Sequence, residues 1–244
     1  MNLPGLRNFS VCLLIALFTA CASDTTVKDA TKQEYVDLKS QLDKGRYSET
    51  TVALGTFITD HPYSRYAVQA ELLRIFSSYK GGEYILTETL SKRFIERHPR
   101  HANIDYAKYM LAMAFYKQRS TAEHDATQNK NAIDAFNRLL KEHPDSSYAK
   151  QGASRLQQLY NTLARHELIV GKHYYDQQHY VAASNRFQGI VKRYQTTPAI
   201  EEALYYLASS YAKMGLQRNA HEYAVLLKHN FPNSEWSKKA APFL

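Results

Sequence analysis

A short phrase recurs along the chain and limits what it can fold into. Leu139-Leu140-Lys141-Glu142-His143-Pro144 has variants at 57–62, 94–99, 190–195 and 227–232. Each reads as the last turn of an amphipathic helix, apolar residues followed by charged ones. Proline then ends the helix, because it lacks an N–H and its ring clashes with the preceding turn. A Ser or Asn a few residues on can cap the next helix. With Pro62, Pro99, Pro144, Gln195 and Pro232 taken as equivalent, the intervals are roughly 37, 45, 51 and 37 residues. Those lengths lie in the range of helical solenoid repeats. No stretch alternates with the period of a strand. The expected fold is all-α, a right-handed α-solenoid of about five helical hairpins closed by a capping helix.

The last repeat carries the clearest pattern. Leu204, Leu207, Ala208, Tyr211, Gly215, Ala220, Ala224, Leu227 and Pro232 match tetratricopeptide (TPR) spacing. Small residues at Ala208 and Ala220 let antiparallel helices approach, and Leu207, Tyr211 and Leu227 fill the gap between them. Gly171, Tyr174, Ala183, Phe187 and Ile190 repeat that frame, as do Leu38, Gly45, Leu54 and Phe57, and Ile75, Gly82, Ser91 and Phe94. The third repeat is interrupted. Its helices, 104–118 and about 131–142, are separated by the polar stretch 119–130, and long connections in repeat arrays are often functional. A helix from Ser147 runs past the frame and is expected to continue into the fourth repeat. Trp236 falls in a short helix that caps the array. The 19 tyrosines suit helix seams whose ends reach water, and also peptide grooves.

The N-terminus reads as a targeting segment. Residues 11–20 form an apolar run of signal-peptide length, too short to span a bilayer as a helix. Phe18-Thr19-Ala20-Cys21 resembles the lipobox of bacterial lipoproteins, with Phe where Leu is usual. On that reading residues 1–20 are removed, and Cys21 carries diacylglycerol and an N-acyl chain, enough acyl length for stable anchoring. The other reading is an ordinary cleavage site followed by a free cysteine. Ala22, in place of Asp, fits an outer-membrane address. Residues 22–32 read as a tether, 33–146 as repeats one to three, and 147–244 as the linking helix, repeats four and five and the cap.

Catalytic signatures are absent from the sequence. His61, His98 and His143 precede turn prolines, and His98 with His101 lacks a third ligand at metal spacing. His166-Glu167 and His221-Glu222 have valine where a His-Glu-x-x-His helix needs its second histidine. Lys80-Gly81-Gly82-Glu83 is a hairpin turn, not a phosphate loop. The formal charge of +8 favours anionic surfaces or simple solubility and does not select nucleic acid. The chain is expected to be no enzyme, to use no metal or cofactor beyond its lipid, and to act by holding polypeptides.

Residues 62–72, Ser78-Tyr79-Lys80 and 93–110 carry a more specific likeness. Tyr66-Ala67-Val68-Gln69-Ala70, Arg93-Phe94-Ile95 and Asn103-Ile104-Asp105-Tyr106-Ala107-Lys108-Tyr109-Met110 resemble the BamD/ComL family, TPR lipoproteins of the β-barrel assembly machinery. The resemblance implies a scaffold on the periplasmic face of the outer membrane, without nucleic-acid partners. N-terminal repeats would bind C-terminal signals of unfolded barrel precursors. C-terminal repeats would dock the POTRA-containing insertase beside accessory lipoproteins. Tyr174, Tyr175, Asn185 and Arg186 resemble the insertase-binding stretch, with an exposed helix arginine as the plainer reading of Arg186. Asp125 falls on a family aspartate in the interrupted loop. Tyr63, Arg65, Tyr66, Tyr106 and Tyr109 are the expected substrate groove, since a peptide ending in an aromatic and a carboxylate wants aromatic walls and a cation. A TPR lipoprotein that positions a cell-wall or other envelope complex is the alternative.

Overall fold

Two kinds of turn alternate along the chain, and each follows from local sequence. The computed structural model describes residues 22–118 and 126–244. Cys21, the lipobox and Asp125 lie outside them. The helices are α1 (Ala22–Asp43), α2 (Tyr47–Asp60), α3 (Ala67–Lys80), α4 (Tyr84–Arg97) and α5 (Ile104–Gln118), then α6 (Ala126–Glu142), α7 (Ser147–Asp176), α8 (Tyr180–Arg193), α9 (Ile200–Lys213), α10 (Gln217–Asn230) and α11 (Glu235–Lys239). A 3₁₀ turn at Ala241–Phe243 follows α11. No strand occurs among the described residues.

The first turn joins the two helices of a hairpin. The amides of Arg46, Glu83, His179 and Leu216 donate to the carbonyls of Gln41, Ser78, Tyr174 and Tyr211 at 2.9–3.1 Å. This six-to-one closure needs a left-handed residue just before the donor. Gly45, Gly82 and Gly215 supply it at φ 76–80°, and Gln178 adopts it at φ 63° without being glycine.

The second turn joins one hairpin to the next. The amides of His61, His98, His143, Tyr194 and Phe231 bond back to Phe57, Phe94, Leu139, Ile190 and Leu227, and a reverse turn follows each. Gln195 supports the same turn as the prolines, so proline reinforces the stop without being required for it. Ser146 and Ser234 cap the following helices by accepting from the Tyr148 and Trp236 amides, while α3 and α9 start without a side-chain cap.

Buried positions recur with the repeat. Phe57, Phe94, Leu139, Ile190 and Leu227 are closed to solvent, as are Leu54, Ser91, Phe136, Phe187 and Ala224 one turn earlier. Each fully buried Phe, Leu or Ile among them contributes about 1.5–3 kcal/mol, so these rungs hold the stack together. Trp236 packs with Tyr205, Phe231 and Phe243 on the Leu204–Ala208–Leu227 cluster, the expected cap.

The chain divides into two compact units, 1–118 and 119–244. Each stacks antiparallel helices, α1 to α5 in the first and α6 to α10 in the second. The expected division after residue 146 differs from this grouping, because α6 packs on the first half of α7, with Phe136 and Leu139 against Gly152. That long helix, Ser147–Asp176, continues into the fourth repeat as anticipated and packs on α8 with its second half. Two boundaries differ from the sequence reading. The described chain is already helical at Ala22, in the stretch read as a tether, and α6 begins at Ala126 and not near Asn131. Neither 22–32 nor 126–130 contains Pro or Gly, and their Ala, Lys, Gln and Asp residues do not oppose a helix that neighbouring turns extend.

Candidate partner-binding surfaces

In the second unit, the four expected docking residues divide into two pairs. Asn185 and Arg186 lie exposed on α8, one turn beyond Val181, which is 65% exposed. Arg186 Nη1 donates to Glu167 Oε2 at 3.2 Å, and Arg193 Nη2 lies 3.7 Å from the other carboxylate oxygen. Glu167 therefore holds Arg186 at the surface, and the remaining N–H groups of Arg186 make no hydrogen bond among the described residues. A planar guanidinium fixed on one edge presents its other edge ready-oriented. Tyr174 and Tyr175 are half-buried against the Phe187–Ile190–Leu207 cluster. The Tyr175 hydroxyl shares a 2.6 Å hydrogen bond with Ser209, and its ring meets Tyr180 and Tyr206 edge-on. These two tyrosines support α8 from beneath.

In the first unit, the turn after α2 brings three of the expected groove residues together. Tyr66 stacks on Tyr35 of α1 with ring centroids 4.8 Å apart, and the Arg65 guanidinium lies 4.8 Å from the centroid of the same Tyr66 ring. Arg65 Nη2 also donates to the Tyr66 hydroxyl at 2.6 Å. Tyr63 is fully exposed, alone among the 19 tyrosines in being open to solvent. Tyr106 and Tyr109 lie on α5, half-buried on a different cluster built from Leu72, Ile75, Phe94 and Met110. The turn and α5 thus supply separate aromatic surfaces.

Sequence reading missed Tyr35 and Glu167. Tyr35 is one of the apolar α1 residues with Leu38 and Leu42, a period that reveals burial but not its ring partner. Burial, with the neighbouring Tyr66, raises the Tyr35 pKa. Glu167 has a counterpart in Glu71, which meets Arg97 at 2.9 Å and His98 at 3.1 Å, the positions of Arg193 and Tyr194 two repeats earlier. His61 reaches Glu34 at 3.1 Å in the same way. His61 and His98, two of the histidines before turn prolines, thus tie the end of each hairpin to its first helix. No cluster of three metal-ligating side chains occurs among the described residues, and none of their helices is long and apolar enough to cross a membrane.

Comparison with known proteins places this arrangement. The chain is 32% identical over 195 residues to the outer membrane protein assembly factor BamD of Rickettsia prowazekii, covering 80% of this chain and 78% of that one. To BamD of Neisseria meningitidis serogroup A it is 30% identical over 243 residues, covering 92% and 91%. Among solved structures it is similar to the TPR domain of P58(IPK), with 12% identity, a TM-score of 0.46 and coverage of 91% of this chain and 57% of that one. The model of the family described as YfiO, outer membrane lipoprotein, matches residues 28–227. A match that runs from α1 through α10, across both units, means that the chain belongs to the YfiO outer membrane lipoprotein family.

Proposed function

We propose that the protein is a lipid-anchored scaffold for assembly of outer-membrane proteins, held at the periplasmic face through Cys21. Its curated relatives carry the name of outer membrane protein assembly factor. In this reading the first unit holds C-terminal signals of barrel precursors, with Tyr63, Arg65, Tyr66, Tyr106 and Tyr109 as its aromatic and cationic contacts. The second unit docks the POTRA-containing insertase through Asn185 and Arg186, with Tyr174 and Tyr175 supporting the docking helix. The work is positioning, with no chemical step.

The observation that carries the docking half is Arg186, held by Glu167 with its other N–H groups unengaged among the described residues, beside exposed Asn185 and Val181. Arginine in that state suits a hot spot, since its geometry is set before the partner arrives. Arg186→Glu should weaken binding to the purified periplasmic part of the insertase by about tenfold or more, as removal of an interfacial charge pair does. Helicity by circular dichroism should not change. Equal affinity of variant and parent in a titration would count against this docking surface.

A further inference from the structure

The first unit carries another concave surface, lined by none of the five expected groove residues. Helices α2, α3 and α4 meet around a cavity of about 70 Å³ whose walls include Gly55, Arg74, Arg93 and Arg97. It adjoins a wider trough of about 390 Å³ along α2, past Val52, Thr56 and Asp60. Gly55, Thr59 and Arg74 line both.

The charges around the cavity do not cancel. Glu71 is its one acidic wall residue, and both its oxygens are taken, by Arg97 at 2.9 Å and by His98 at 3.1 Å. Arg74 donates its Nε proton to the Thr51 carbonyl at 3.1 Å, an uncharged partner. Arg93 makes no hydrogen bond or ion pair among the described residues. Burial first, and Arg93 second, press the Arg74 pKa downward, with Glu83 opposing them. Two guanidinium groups facing one space whose wall carboxylate is already paired repel each other, and more strongly where water is partly excluded.

The backbone makes room for this arrangement. A Cβ at position 55 would lie 2.8 Å from the Arg74 guanidinium carbon and one of its nitrogens. Glycine inside a helix costs about 1 kcal/mol relative to alanine, and here its bare Cα lets the arginine head lie against α2.

We propose that this cavity binds a carboxylate carried by a polypeptide segment, with the rest of the segment lying in the trough along α2. A carboxylate accepts two parallel hydrogen bonds from an arginine fork, and a volume near 70 Å³ holds a single such group. The trough favours a chain that is otherwise neutral. Thr56 offers a hydroxyl, Thr59 an acceptor oxygen (its proton goes to the Gly55 carbonyl at 3.0 Å), Val52 is 69% exposed, and Asp60 repels any further negative charge. A polyanion such as a phosphate-rich lipid surface would meet that repulsion. This site is independent of the Arg186 surface and stands or falls without it.

The test is calorimetric titration of the full-length protein in detergent with a capped peptide of small neutral residues around one glutamate, and with its glutamine twin. The glutamate peptide should bind at least about tenfold more tightly, the worth of one charge-assisted hydrogen bond. Arg93→Gln, which breaks no hydrogen bond or ion pair among the described residues, should weaken it by a similar factor. Gly55→Ala, which changes no charge but displaces the Arg74 head, should weaken it as well. Equal binding of the two peptides, or a glutamate affinity indifferent to both variants, overturns the proposal. So does Arg93-dependent binding of inorganic phosphate or of phosphatidylglycerol vesicles by a protein that ignores both peptides, which would give the cavity to a free ion or a lipid surface.

Discussion

Gln178 breaks the repeat's own rule at a single residue. Its backbone holds φ 63° where the equivalent turns have Gly45, Gly82 and Gly215. The left-handed region costs an ordinary residue about 1–2 kcal/mol, yet the turn still closes, with the Gln178 amide on Tyr175 and the His179 amide on Tyr174, both at 2.9 Å. Glycine would remove the strain and add unfolded-state entropy of about 0.5–1 kcal/mol against it. Gln178→Gly should therefore stabilise the fold by several tenths to about 1 kcal/mol. A urea denaturation midpoint that falls, or stays put, would show the strain to be relieved already.

Between elements, the sizes that meet differ from one hairpin to the next, and two hairpins set a large residue against a small one. Residues 16 apart face one another across the pair: Leu38 and Leu54, Ile75 and Ser91, Gly171 and Phe187, Ala208 and Ala224, all buried. Where α8 contributes phenylalanine, α7 contributes glycine, and a Cβ at Gly171 would lie 2.6 Å from the Phe187 ring. That distance is well inside contact, and Phe187 is fully enclosed, so its ring has no free path. Gly171→Ala should cost about 1–3 kcal/mol by overpacking, despite alanine's better helix propensity. Phe187→Leu on the same chain should recover part of the loss in denaturant unfolding. A loss that leucine leaves unchanged would place the strain elsewhere.

At the scale of the molecule, each unit has cores of its own. Residues 1–118 enclose the Leu54–Phe57–Ala70 and Leu72–Ile75–Phe94 clusters, and 119–244 enclose those around Phe187 and Leu227. A unit with its own core can fold alone. Residues 22–118, expressed by themselves, should be helical and melt cooperatively, with a denaturant dependence about half that of the whole chain, in proportion to the surface exposed. A non-cooperative melt would mean that this unit takes its stability from the other. The two candidate protein-binding surfaces of the first unit, aromatic and arginine-lined, could then be titrated apart from Arg186.

Local chemistry in the sequence determined the all-α class, the hairpin register, the turn positions, the long α7 and the cap at Trp236. Proline, glycine and a period near 3.6 act over a few residues, and each repeat reports them again. The residues likened to known family positions were legible through that resemblance alone. Tertiary structure decided which polar groups meet. Arg186 finds Glu167 19 residues away, Tyr175 finds Ser209 on another helix, and Arg74 and Arg93 share a cavity opened by Gly55. It also decided that α6 groups with α7 in one compact unit. Such meetings depend on how far one helix is rotated and slid against the next. The sum of many buried contacts sets that quantity, and the period of a single helix carries no trace of it.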